Sequence, residues 1–282
     1  MSRYLAAAIQ MDTQDDREEN FRTLEKLIAQ AAEQGAKLIC MPECVTYLGR
    51  NIADAAEEVP GGPSFRFFSA QAKRHGVWLH CGSIYEKSGD QRPYNCTMLL
   101  NPQGELVARY RKLHPFDVVL PNGTSVRESD TIRPGDSIVT AQAGRLGRLG
   151  FAICYDMRFG ELFRLMALEG AQIFVVPANF TLATGKDHWL PLLRARAIEN
   201  GCYVIAPGQI GKKPQFEAFG HSLIIDPLGT VTACASHRPG VVLAEIDLDL
   251  EQQVRRQLFT LENRREDLYT LARKVPGEGS QG

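Results

Sequence analysis

The chain twice repeats strand, helix, strand with connections far too long for a hairpin, and this pattern constrains its fold more than anything else in the sequence. Residues 4–11 read as a buried strand. Over 15–35, Phe21, Leu24, Leu27, Ile28 and Ala31 recur at helical spacing, acidic residues fill the first turn and Gly35 closes the helix. A strand at 37–42 follows, then a helix at 63–75 and strands at 77–86, 94–100 and 106–112. After a break come strands at 138–142 and 148–153, a helix at 161–170, a strand at 172–177, a helix at 187–200 and a strand at 203–207. Short strands at 220–226, 231–234 and 241–247, a turn at Pro227-Leu228-Gly229 and an amphipathic helix at 250–258 end the pattern. Strands alternating with helices in this way make an α/β fold.

No repeat or Gly/Ser/Pro linker divides the chain, so residues 1–272 are expected to form one domain, with 273–282 a polar, flexible tail. With 44% apolar and 23% charged residues, a large core is expected. The break at 113–137 has little periodicity and several turn formers (Pro115, Pro121, Asn122, Gly123, Pro134, Gly135). It predicts an unusually long loop, and long loops in compact folds tend to be functional. The formal net charge of −1, with no basic block interleaved with aromatics, argues against nucleic acid or a membrane surface as partner. Residues 5–9 are too short a run for a signal-peptide core, and no stretch approaches a membrane span. Seven cysteines, an odd number with several inside apolar runs, fit reduced thiols in the cytoplasm.

Three ionisable residues sit where an apolar run gives way to a turn: Glu43 after 38–42, Lys112 after 107–111 and Cys154 after 150–153. Sites in α/β folds gather at the carboxyl ends of strands. Singly, each has a plainer reading as a helix cap, a solvated ammonium and a core thiol.

The flanking words are more specific. Met41-Pro42-Glu43, Tyr110-Arg111-Lys112-Leu113-His114 and Gly150-Phe151-Ala152-Ile153-Cys154-Tyr155-Asp156-Met157-Arg158-Phe159 resemble the three catalytic signatures of the nitrilase superfamily, in its order and approximate spacing. Matches at 193–200, 220–222 and 226–229 extend the resemblance over nearly the whole chain. It implies a four-layer α-β-β-α sandwich with an active site at the ends of strands from both sheets, acting on a small-molecule amide without a cofactor. It also implies a homodimer, or a larger homo-oligomer, formed through helices near the active-site face.

The chemistry fits the residue types. An amide carbonyl is a poor electrophile, and a thiolate is the most reactive nucleophile a side chain supplies. Ordinary pKa values of about 4.3 for Glu and 8.5 for Cys make direct proton transfer uphill, so the site must raise the Glu, stabilise the thiolate, or both. In the expected course Glu43 takes the thiol proton as Cys154 attacks, while the Lys112 ammonium and the Tyr155 N–H hold the oxyanion. Glu43 then protonates the departing amine, leaving a thioester, and activates the water that releases the acid.

Glu128, within Arg127-Glu128-Ser129, resembles the second glutamate that many members place after the lysine and would orient Lys112; its plainer reading is a solvated loop carboxylate. Tyr47, Phe116, Arg127, Tyr155, Asn179, Phe180 and Thr184 lie on loops flanking the signatures and are carried over as pocket residues. Cys40 and Cys44 lack a matching Cys/His pair, so no metal site is expected. His114 and His188 are read as structural rather than as a protease-type base, and Asp156 and Arg158 as a structural ion pair or a helix-start device. Residues 144–150 lack the spacing and following helix of a phosphate loop.

Within the superfamily, residues 110–117, 154–159 and 184–189 are similar to the branch of omega-amidases and deaminated-glutathione amidases, and 201–211 lean toward the latter. Substrates of that branch are short 2-oxo acid amides bearing carboxylates, so a pocket end rich in cations or N–H groups is expected. Gly160 departs from the proline or alanine common there, which bears on the helix start. The alternatives are an omega-amidase on 2-oxoglutaramate or succinamate, a nitrilase or N-carbamoyl-amide hydrolase on the same three residues, and a non-catalytic binding protein on the same scaffold.

Overall fold

Alternation along the first strand, β1 (Arg3–Gln10), lays out the architecture: Ala6 and Ala8 enter one apolar core, Ala7 and Ile9 another. In the computed structural model, which describes residues 2–119, 123 and 125–274, the next element is α1 (Arg17–Glu33). Its first turn is capped by the Asp16 side chain, which accepts from the Glu19 N–H at 3.0 Å. Leu24, Ile28 and Ala31 form its buried stripe. The chain continues through β2 (Ala36–Cys40), a short α2 (Ile52–Ala55) and α3 (Pro63–His75), which opens on proline and closes on a left-handed Gly76.

β3 (Trp78–His80) and β4 (Ile84–Glu86) replace the single strand expected over 77–86. Gly82 divides them at φ +58°, and a Cβ there would come within 2.1 Å of the Pro42 carbonyl oxygen. β5 (Tyr94–Leu100) is buried throughout; it pairs with β6 (Leu106–Arg111) on one edge and with β3 and β4 in turn on the other. The stretch expected to be loop holds a hairpin, β7 (Asp117–Val119) with β8 (Ser125–Arg127). Asp117 ties its base by accepting from the backbone N–H and hydroxyl of Ser129 at 3.0 and 2.6 Å. Pro121 and Asn122 lie outside the described residues.

The second half runs β9 (Thr140–Gln142), β10 (Arg148–Phe151), α4 (Gly160–Leu168), β11 (Ile173–Val175), α5 (Leu182–Asn200) and β12 (Tyr203–Ala206). α5 starts five residues earlier than expected because the Thr181 hydroxyl caps it through the Thr184 N–H. A hairpin the periodicity did not reveal, β13 (Ile210–Lys212) with β14 (Glu217–Phe219), precedes β15 (Leu223–Ile225), β16 (Val231–Cys234), β17 (Gly240–Asp247) and α6 (Leu248–Leu258). Of the expected tail, all but 273 and 274 lies outside the described residues.

One sheet has the order β17-β1-β2-β3-β5-β4 with β6 on β5, and the other β16-β15-β12-β11-β10-β9. β1, β2 and β3 are parallel, as are β10, β11 and β12. Tyr4, Leu38, Leu99 and Tyr110 of the first sheet share a buried cluster with Leu149, Phe151 and Ile225 of the second. Leu24 and Ile28 of α1 and Phe68 and Ala72 of α3 cover the first sheet's other face, and Phe163 and Met166 of α4 with Leu193 and Ala197 of α5 pack on the second. The result is a four-layer α-β-β-α sandwich. Each large apolar side chain so buried contributes about 1.5–3 kcal/mol. All seven cysteines are free thiols, and only Cys234 is exposed. Among the described residues no helix is long and apolar enough to cross a membrane.

Candidate active site

Glu43 and Lys112 follow the ends of two strands in one sheet, β2 and β6, whereas Cys154 follows β10 in the other. The sandwich brings all three to one buried place. Glu43 is 3% exposed and Lys112 2%. Burying such charges is costly unless each polar atom finds a partner. The Lys112 ammonium donates to Glu43 Oε1 at 3.1 Å and to Glu128 Oε1 and Oε2 at 3.1 and 2.8 Å. Glu43 Oε1 also accepts from Asn95 Nδ2 at 2.8 Å, and Oε2 from the Asn179 backbone N–H at 2.7 Å. Glu128, on the turn after β8, accepts from the Phe116 N–H at 2.5 Å, so the hairpin itself holds the second carboxylate against Lys112.

Backbone contacts fix the two strand ends. The Gln209 side chain donates to the Glu43 carbonyl at 2.9 Å, and the Cys44 N–H to Ser83 Oγ at 2.9 Å. The Lys112 N–H donates to the Asn95 carbonyl and the Gly135 N–H to that of Lys112, both at 2.8 Å. Gly135 must be small, since a Cβ would lie 2.3 Å from the Arg111 carbonyl oxygen.

Cys154 opens a 3-10 turn, Cys154–Arg158, in the left-handed region at φ +49°. A side chain there is strained, and such strain persists only where surroundings impose it. Asp156, fully buried, does so. Its Oδ2 accepts from the Ile153 N–H at 2.8 Å and from the Tyr110 hydroxyl at 2.7 Å, and its Oδ1 accepts from the His114 N–H at 3.0 Å. His114 Nδ1 lies 2.7 Å from the same Oδ1 and, facing a carboxylate, is the donor. One carboxylate therefore bolts the Cys154 turn to the residues on either side of Lys112. The expected alternative, an ion pair of Asp156 with Arg158, does not form: Arg158 lies beside His188 Nδ1 at 3.3 Å and near the faces of Tyr155 and Phe180 at 5.6 and 5.5 Å.

Electrostatics set the resting protonation. Burial works against the Lys112 ammonium, but the carboxylates of Glu128 and Glu43 outweigh it and hold its pKa well above the ordinary lysine range. Burial pushes the Cys154 thiol well up; the charge and hydrogen bonding of Glu43 add to this, and Lys112 only partly opposes them. Two carboxylates around one ammonium thus favour a protonated sulfur at rest. A thiol held protonated in this way could attack only with a base beside it, and Glu43 is the carboxylate that lies there.

The other residues singled out in the sequence divide into two groups. Phe116 and Tyr155 meet edge to face at 5.0 Å beside the cluster, Asn179 supplies its N–H to Glu43, and Phe180 is buried against Trp189 at 5.3 Å. Thr184 serves the first turn of α5, its hydroxyl 2.8 Å from that of Thr181, and Tyr47 lays its ring across Gly49. Arg127 faces solvent and lies 3.5 Å from Asp130. Gly160 starts α4 where a Cβ would stand 3.1 Å from the Arg196 guanidinium. Among the described residues no group of three or more His, Cys, Asp or Glu side chains could hold a metal ion.

The pattern for carbon-nitrogen hydrolases matches residues 5–256. The chain belongs to that family. It is 42% identical to the deaminated glutathione amidase of Mus musculus over 94% of this chain and 84% of that one, and 41% identical to that of Synechocystis sp. over 94% and 99%. In structure it is similar to Saccharomyces cerevisiae Nit3, a member of branch 10 of the nitrilase superfamily, with a TM-score of 0.84 and 28% identity over 94% of this chain and 97% of that one. As a carbon-nitrogen hydrolase, the protein cleaves C–N bonds other than peptide bonds.

The reading of Asp156 as a helix-start device holds in its bond to the Ile153 N–H, but sequence reasoning missed Asn95, Gln209 and the reach of Asp156 to Tyr110 and His114. A signal existed for Asn95, which interrupts a wholly buried, largely apolar strand where a buried polar side chain requires a partner.

Proposed function

We propose that this carbon-nitrogen hydrolase is an amidase for a small carboxylated 2-oxo acid amide, deaminated glutathione above all, and that it works through a thioester on Cys154. The observation that carries this reading is the single buried cluster in which Lys112 bridges Glu43 and Glu128 with the Cys154 thiol against it. Glu43 takes the thiol proton as sulfur attacks the carbonyl carbon. The oxyanion is met by the Tyr155 N–H and by the Lys112 ammonium, which its carboxylates hold in place before charge develops. Collapse breaks the C–N bond, and the amine leaves with the proton that Glu43 holds. Water, deprotonated by the same carboxylate, then hydrolyses the thioester.

Arg158 supports the substrate class. Among the described residues it has no acidic partner, and it stands over Tyr155, next to the nucleophile, so it is a free cation for a substrate carboxylate. The names of the mouse and Synechocystis relatives point the same way. The same reading takes residues 1–272 as one domain and the protein as a cytoplasmic homo-oligomer; six buried free thiols support the reducing compartment.

Incubation with deaminated glutathione tests the proposal. Release of 2-oxoglutarate and the dipeptide amine is expected, with 2-oxoglutaramate, succinamate, a nitrile and an N-carbamoyl amine turned over more slowly. Faster turnover of any of those four would reassign the substrate, and release undiminished in Cys154→Ala would remove the mechanism.

A further inference from the structure

The two oxygens of Glu43 are not equivalent. Oε1 accepts from two side-chain donors, Asn95 Nδ2 at 2.8 Å and Lys112 Nζ at 3.1 Å, whereas among the described residues Oε2 accepts from the Asn179 N–H alone, at 2.7 Å. A carboxylate oxygen offers two lone-pair positions, so Oε1 is filled and Oε2 keeps one open. The amide orientation of Asn95 follows from its partner, because turning its Oδ1 toward a carboxylate would set two acceptors against each other. Its Oδ1 is in fact buried without a hydrogen-bonding partner among the described residues. Asn95 gives up satisfaction of its own oxygen while its amide donates to Glu43.

We propose that Asn95 is a positioning residue that fills Oε1 of Glu43 and so makes Oε2 the one oxygen that exchanges protons with Cys154 and the leaving amine. This rests on the reading of Glu43 as the proton carrier. As the C–S bond forms, the thiol proton passes to Oε2 and the carbonyl π electrons move to the oxygen. When the tetrahedral adduct collapses, the C–N bond breaks and the Oε2 proton goes to nitrogen. Oε1 stays bonded to its two donors through both steps, so the carboxylate need not turn. Asn95 is well placed for this, being 1% exposed, opposite Tyr85 of β4, and joined through its own carbonyl to the Lys112 N–H. The same residue thus sets the register of the base and of the cation.

The test is the pH dependence of kcat for Asn95→Asp and Asn95→Leu, both close to asparagine in size. The charged and titratable groups facing Glu43 are Lys112, Glu128, Cys154, Cys44 and Tyr85, and all stay in place in these variants. Losing a donor disfavours the ionised carboxylate, and Asn95→Asp adds a second acceptor that competes for the proton. The expected result is an acid limb moved to higher pH in both, by about one unit or more in Asn95→Asp, with kcat down ~10²-fold for Asp and ~10-fold for Leu and KM changed less than about threefold. A purely structural asparagine gives the reverse order, the near-isosteric Asp being mildest and the limb unmoved, and that result overturns the proposal. If neither protein folds, Asn95→Ala carries the same readout: a raised limb supports the proposal and an unmoved limb overturns it. Failure of the underlying reading looks different, since Glu43→Gln would then keep activity whatever the Asn95 variants do.

Discussion

The floor of the site and its mouth are built on opposite principles. On the floor, Glu43, Lys112 and Asp156 are at most 3% exposed and held by hydrogen bonds of 2.7–3.1 Å. At the mouth, Arg158 has His188 at 3.3 Å and the faces of Tyr155 and Phe180 at 5.6 and 5.5 Å, and Phe116, Tyr155 and Phe159 make edge-on ring contacts at 5.0 and 5.6 Å. A floor whose buried charges each lean on several partners does not tolerate exchange, because removing one partner strands another buried group. Aromatic and half-exposed cationic groups tolerate it well. The reaction is therefore written into the floor and the substrate into the mouth.

Substitutions from floor to mouth to rim should separate these roles. Cys154→Ala, which removes the proposed nucleophile, is expected to lower kcat by about 10⁴-fold or more while leaving thermal unfolding near that of the wild type. Lys112→Met should cost ~10²–10³ in kcat and about 3–5 kcal/mol of stability, since it leaves Glu43 and Glu128 facing each other without a cation; steady-state kinetics and urea unfolding measure the two. Because the folded pKa of Lys112 is raised, its stabilisation is complete below the unfolded value of about 10.4 and is lost only as pH rises through the folded one, so the stability gap should shrink on the alkaline side alone from that lysine. Asp156→Asn keeps shape but turns a donor toward the donors it serves. It should cost about 2–3 kcal/mol, with kcat falling on the order of 10²-fold as the Cys154 turn shifts.

Arg158→Met is the mouth's counterpart. KM for a carboxylated amide should rise roughly 10–100-fold with kcat kept, while a short neutral amide is unaffected. Equal losses on both substrates would erase the distinction between mouth and floor. Arg127→Ala, at the exposed rim, should change stability by less than about 0.5 kcal/mol and leave kcat unchanged.

The same contrast explains what could be read from the sequence. Glu43, Lys112 and Cys154 each end an apolar strand inside a contiguous word, so position and context appear together in the primary structure. Asn95 stands 52 residues from Glu43, and Asp156 stands 46 from Tyr110; pairing across such distances has no periodic signature. The hairpin at 117–127 was hidden for a similar reason, because Asp117 closes it through Ser129, 12 residues on, rather than through alternating apolar residues. Arg127 ends β8 and Glu128 opens the 3-10 turn Glu128–Asp130 that follows, so the two side chains leave the backbone in different directions. Glu128 turns to Lys112 and Arg127 to solvent. The start of α5 is hard to see in the sequence because its cap, Thr181, offers a single hydroxyl and its first turn holds no acidic residue.

The most direct measurement is mass spectrometry of the protein quenched during turnover. Any of the seven free cysteines could carry the acyl group, and Cys44 is buried next to Glu43, within the field of Lys112. The expected adduct is an acyl group on the peptide containing Cys154, formed and lost at rates that match turnover, and absent in Glu43→Gln. An acyl group on Cys44, or turnover with every cysteine unmodified, would contradict the assignment of Cys154 as the nucleophile.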